Sequence, residues 1–224
     1  TDFTLHMPGD TLQVNAYLGD ALARTTYLDL YKGLYQIQHL DWKNGRVNYD
    51  QNFERPVPGM DFNHLAFSDM AVKADSFYFC DSRIDVKIQE AKLKEKSGLK
   101  ISQLYGRFVM DSVKMQLPDL YLRTPVSNLQ ASVDFDMNAF AEKNPGKIMA
   151  RVNGALGRSD LFLLIGDALP KQMKNRWPYY PMKLEGSFKG NMQRASFSGV
   201  KLSLPTVFQL STDGTVANLM DMDH

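Results

Sequence analysis

A single cysteine, Cys80, is all the thiol in this 224-residue chain, which excludes an intramolecular disulfide framework and any multi-cysteine metal site. Charge of one sign is lacking too. The 26 Lys and Arg oppose 25 Asp and Glu for a net charge of +1, so the composition draws in neither nucleic acid nor an acidic substrate. No apolar run approaches the roughly 18 residues that a membrane-crossing helix needs, and no signal peptide opens the chain. Reactive constellations are equally scarce. His6, His39, His64 and His224 have no partner at a spacing that preforms a metal site, and His39, out of step with an apolar face, reads as a rim histidine. No Gly-x-Ser-x-Gly elbow, phosphate-cradling loop or dinucleotide fingerprint occurs. Gly154-Ala155-Leu156-Gly157 reads as a turn into a helix. The expectation is therefore a non-enzymatic protein with no cofactor and no metal.

Period-two alternation is what the chain has in abundance. From Ser127 to Met137, Leu129, Ala131, Val133, Phe135 and Met137 alternate with Asn128, Gln130, Ser132, Asp134 and Asp136, the pattern of a half-buried strand. Val113, Met115 and Leu117 alternate likewise with polar residues, as do Leu184, Gly186 and Phe188. Asp134 and Asp136 read as solvated strand residues, and the mixed charges from Glu90 to Lys96 as an exposed strand end. Asn44-Gly45, between Ile37–Trp42 and Arg46–Tyr49, predicts a type I′ hairpin, and Ser97-Gly98 predicts another between Arg83–Lys94 and Leu99–Met110.

Several strands change phase. Ile84, Val86 and Ile88 are even but Ala91 and Leu93 odd; Ala195 and Phe197 are odd but Val200, Leu202 and Leu204 even, with Gly199 at the switch. One inserted residue produces such a flip, so bulges are predicted there, and bulges let a long sheet curl into a trough. Val113–Pro118 resembles Val200–Pro205, with Tyr121 and Thr124 matched by Phe208 and Thr212, which predicts a repeated strand, proline corner, strand unit. Near 160–175 the rhythm breaks. Ser159 can cap a short helix in which Leu161, Leu164, Ile165 and Ala168 share a face and Pro170 stops or kinks the chain; that face closes the mouth of a trough or packs as ordinary core. Phe77-Tyr78-Phe79 and Trp177-Pro178-Tyr179-Tyr180-Pro181 are candidate sugar-stacking platforms, which keeps a carbohydrate-binding β-module open.

An ordered series of weaker motifs completes the sequence. These are Asn63–Asp69, Leu93–Leu99, Met110–Ser112, Leu117–Pro125, Asp136–Phe140, Lys143–Lys147, Gly190–Gln193 and Val216–Leu219. In this order, from about Leu34 onward, they resemble the AsmA/TamB-like family. The resemblance implies a mainly β fold, a long curled antiparallel sheet forming a repeating groove. It further implies a periplasmic portion of an inner-membrane-anchored envelope protein, phospholipid movement to the outer membrane, and an outer-membrane β-barrel partner like TamA. Residues 1–224 then read as one groove segment excised from a longer chain, with a sub-boundary near 141–158 and with membrane contact made by parts outside it. The expected groove lining is Val113, Met115, Leu117, Leu129, Ala131, Val133 and Phe135, with phospholipid acyl chains as occupant. A scaffold for outer-membrane β-barrel assembly is the alternative reading, and a closed sandwich core is the alternative fate of those side chains.

Overall fold

The computed structural model describes residues 2–6, 12–17, 19–51, 55–139, 141, 143–165, 169–191 and 193–217. Ala168, Phe140, Met192, Asn218, Leu219 and His224, invoked above, lie outside them. The described chain is mainly β. Its strands are β1 (Asp2–His6), β2 (Leu12–Tyr17), β3 (Asp20–Asp29), β4 (Leu34–Gln51), β5 (His64–Cys80), β6 (Arg83–Glu95), β7 (Lys100–Met110), β8 (Lys114–Arg123), β9 (Asn128–Asp136), β10 (Ile148–Leu156), β11 (Met182–Gly190), β12 (Arg194–Leu204) and β13 (Phe208–Ala217). Two short helices, α1 (Arg158–Ile165) and α2 (Lys171–Arg176), connect β10 to β11.

All 13 strands form one antiparallel sheet in which β4 to β13 follow one another as neighbours, and β13 does not pair back to β1. Consecutive alternating strands joined by short turns give this meander directly. The predicted turn at Ser97-Gly98 is present: Gly98 takes φ +106° and its N–H donates to the Glu95 carbonyl at 2.9 Å.

Asn44-Gly45 does not make a hairpin. Asn44 adopts the positive φ its type favours, +56°, but β4 runs straight through it, pairing Trp42 with Val72 and Val47 with Phe67 on either side of a register shift. The pair is a bulge. It sits where the opposite edge of β4 changes partner, from β3 (Asp20 with Lys43) to β2 (Tyr17 with Arg46). Gly45 is required there, since a Cβ would lie 2.4 Å from the Trp42 indole.

The phase switches resolve as anticipated. Between β6 and β7, Ile88 pairs with Gly106 and Ala91 with Leu104, three residues against two. Between β12 and β13 the shift falls between Phe197 and Val200, and Gly199 takes φ +59°. Further shifts interrupt the β5–β6 and β8–β9 ladders. Each bulge bends its strand and raises the local twist, so the sheet departs from a flat ribbon.

The proline repeat is not a structural repeat. Pro118 lies inside β8, at the bulge between Leu117 and Leu120, whereas Pro205 lies in the turn between β12 and β13. The same string of residue types satisfies two geometries because both spare the missing N–H.

One small core forms, where the helices meet the sheet. Leu161, Trp177 and Leu204 are buried together, with Leu156, Phe162, Leu169 and Met182 against them. The predicted single helix over 160–175 is thus two, with Pro170 ahead of the second, and Ser159 lies within α1 rather than capping it. Elsewhere side chains stay half-buried or exposed. Of the eight buried apolar residues four are alanines, Ala74, Ala91, Ala139 and Ala195, so no second layer covers the sheet among the described residues.

Candidate functional site: an uncovered apolar sheet face

Directly paired residues in an antiparallel ladder project to the same face, so the register sorts the side chains without ambiguity. One row crosses ten strands: Trp42, Val72, Ala91, Leu104, Leu122, Leu129, Gly154, Leu184, Leu202 and Leu210. Every member is apolar or glycine. A second row, Leu117, Val133, Ala150, Phe188, Phe197 and Gly214, and a third, Met110, Met115, Phe135, Ile148, Gly190, Ala195 and Val216, run beside it. At roughly 4.8 Å between strands, the first row is about 43 Å long.

Six of the seven expected lining residues, Met115, Leu117, Leu129, Ala131, Val133 and Phe135, therefore lie on one face of β8 and β9, all half-buried. Val113 does not join them in a strand. It sits in the turn before β8, 64% exposed, with its carbonyl accepting the Met137 N–H at 2.8 Å. The sequence alternation continued through it because a turn residue keeps the parity of the strand it leads into.

Phase-switched strands supply lining that the short list of β8 and β9 residues missed, chiefly Leu104, Leu122, Leu184, Leu202 and Leu210. The signal was present in the same alternation; what was missing was the pairing order that aligns the rows. Gly154 belongs to β10 rather than to a turn. A Cβ there would stand 2.2 Å from the Asn128 carbonyl oxygen, so β9 and β10 approach closely only because it is glycine.

The exposed area fits this picture. The chain exposes 15016 Å², against about 10,300 Å² for a compact folded monomer of this mass. At the β13 end the uncovered character is explicit, with Phe208, Leu210 and Val216 each at least 36% exposed. At the strand ends carrying Leu156, Met182 and Leu204, Leu161 and Phe162 of α1 pack on the apolar face together with Leu169 and Trp177, which flank α2.

A buried polar cluster fastens that packing. Asp160, in the first turn of α1, accepts hydrogen bonds from the hydroxyls of Thr124 and of Ser127, the latter at 2.5 Å. Ser127 Oγ accepts the Gly157 N–H at 2.9 Å, and Thr124 Oγ1 accepts the Ser127 N–H at 2.8 Å. Every group has its partner, and Ser127 has no histidine hydrogen-bond partner among the described residues to make it a nucleophile. This is a clasp between the β8–β9 turn and the helix.

The opposite face is polar and largely self-satisfied. Arg107 meets Asp85 through two bonds of 2.9 and 2.7 Å, and that guanidinium holds the Asp85 carboxyl below its ordinary range. Asp134 is not simply solvated: Gln116 donates to it at 2.7 Å and Lys114 at 3.5 Å, while Asp136 accepts the Lys147 N–H. His39 is exposed and bonds Asp75 at 2.8 Å. His64 is buried against Asp61 at 2.9 Å, three residues earlier, a pairing made by the turn into β5. No group of three potential metal ligands occurs among the described residues. Of the two aromatic platforms, Phe77, Tyr78 and Phe79 are half-buried within β5, while in the other Trp177 is in the core and Tyr179 stands 87% exposed with the Arg158 guanidinium 4.7 Å from its ring centre.

No family model, curated protein or solved structure matches the chain. The site must be read from its own geometry. Among the described residues this face is long, apolar or glycine throughout its central row, and packed against α1 at one end. It offers area.

Proposed function

We propose that the apolar face is a lipid-binding groove, carrying phospholipid acyl chains along its rows while headgroups remain at the wet rim. The carrying observation is the unbroken ten-strand row from Trp42 to Leu210, left without a covering layer among the described residues. Soluble monomers rarely leave contiguous apolar patches larger than a few hundred Å² uncovered. An acyl chain has about half the length of the roughly 30 Å hydrocarbon core of a bilayer, so it lies across about three strands. Each methylene covered contributes about 0.8 kcal/mol, without any polar contact to fix its position. A chain can therefore slide from row to row with little change in energy. The resemblance to the AsmA/TamB-like family gives this reading its setting: a periplasmic, inner-membrane-anchored protein moving phospholipid toward the outer membrane.

Photo-crosslinking residues at Leu129, Val133 and Phe135 should trap lipid in cells, whereas Gln130 and Ser132, on the polar face of the same strand, should not. Equal labelling on both faces, or none at the first three, sinks the groove. One observation favours a second reading, a scaffold for β-barrel assembly. All ten residues of β13 are exposed and its outer edge has no described partner, so a client strand could add to it. In that case the same probe at Gln209 and Ser211 captures protein.

A further inference from the structure

We propose a saccharide subsite on the polar face of the sheet, over β7 to β10, independent of the lipid reading and on the opposite side from the groove. The row Tyr105, Tyr121, Gln130 and Asn153 crosses these strands, and Arg151 and Ser132 pair directly in the neighbouring row. Tyr105 and Tyr121 stack with ring centres 4.7 Å apart and planes 17° from parallel. A depression of about 360 Å³ opens beside them, lined by both tyrosines, Gln130, Ser132, Arg151 and Asn153. That volume falls within the range of small-ligand sites and suits one sugar ring of a longer glycan.

The depression has a structural cause. Pro118 and Asp119 bulge out of β8, and Gly106 lets the Asp119 carbonyl oxygen come within 2.6 Å of where a Cβ would stand. The ladder between β7 and β8 breaks there, beyond Tyr105 and Tyr121.

The lining and its chemistry suit a ligand. Elsewhere on this face Arg107 pairs with Asp85 and Gln116 with Asp134. Here Gln130, Ser132, Arg151 and Asn153 have no side-chain hydrogen bond or ion pair among the described residues, although they converge on one hollow. The chemistry of the wall matches a pyranose. A sugar ring offers an apolar face to an aromatic ring and a rim of hydroxyls to amides that both donate and accept. Asp119 also lines the hollow, its carboxylate accepting the Arg107 N–H at 3.1 Å, and Arg151, the one cation there, adds a fork for a carboxylate and so favours an acidic sugar.

The test is a titration of the whole 224-residue chain with two probes, chitotriose and trigalacturonate, followed by amide chemical shifts. Binding is expected in the millimolar range or tighter, with trigalacturonate preferred and the shifted amides confined to Tyr105, Tyr121, Gln130, Arg151 and Asn153. Tyr121→Ala should weaken it about tenfold or more, equivalent to about 1.4 kcal/mol. Arg151→Gln should remove the preference for the acidic probe, and Leu117→Ala, in the groove, should change nothing. If Tyr121→Ala does not fold, Asn153→Ala and Arg151→Gln carry the test. The proposal is overturned if neither probe shifts these amides, if the shifts survive both of those variants, or if inorganic phosphate reproduces them through Arg151 alone.

Discussion

Asp160 is the side chain whose loss the molecule should feel most, because the clasp it completes is buried. Asp160→Ala leaves the hydroxyls of Thr124 and Ser127 without their acceptor. An unsatisfied buried polar group costs about 1–3 kcal/mol, so the variant should lose roughly 2–4 kcal/mol in urea unfolding. Asp160→Asn keeps an acceptor oxygen and should lose less. An unchanged midpoint for Asp160→Ala would mean that the clasp is ornamental. At this scale the sequence was a mixed guide. Ser159 looked like the cap, because capping preference depends on residue type and position along the chain; the hydroxyls that engage α1 come instead from Thr124 and Ser127, more than 30 residues away. Trp177 was equally ambiguous. An aromatic beside two prolines serves as platform or as core with the same composition, and only the contact with Leu161 and Leu204 decides it.

Strands carry their errors and their bulges in the same way, as changes of parity. The flips at Ile88/Ala91 and Phe197/Val200 were legible because a one-residue insertion inverts every later side chain, and apolar residues then mark the new phase. Asn44-Gly45 was misread because a positive φ at Asn serves a bulge as well as a hairpin, and the difference lies in what pairs on the far side. Gly199 isolates the conformational part of such a bulge. Nothing lies within 4 Å of the position its Cβ would take, yet its φ is +59°. Gly199→Ala should therefore cost about 1–2 kcal/mol in chemical denaturation through backbone strain alone, and Gly199→Asn less, since Asn tolerates the left-handed region. Equal costs for the two would point to packing rather than to φ.

At the scale of the whole molecule, the described residues make one layer of a layered fold, and its uncovered face has a thermodynamic consequence. Fold class and the two-faced character of the sheet were legible in composition and alternation. So was a short helix near 160–175 packing on the sheet, though not its division into two; the partner change along β4 was not legible, because it depends on pairings between distant segments. A two-layer domain buries its apolar face against itself; here no layer covers that face among the described residues, so an occupant of the proposed groove should stabilise the folded state by mass action. At a free concentration about 100 times the dissociation constant, a ligand that binds only the folded form adds about 2.7 kcal/mol. For a domain of this length each kcal/mol corresponds to about 2–4 °C, so a short-chain phosphatidylcholine below its micellar concentration should raise the melting temperature by roughly 5–10 °C. Val133→Asp puts a charge in the second row, between Leu117 and Ala150, where covering it with an acyl chain is unfavourable. That variant should lose most of the shift, while Ser132→Asp, on the other face of β9, should keep it. Phosphocholine without acyl chains should give no shift at all; if it matches the lipid, the headgroup rather than the apolar face is the determinant and the groove has no role in binding.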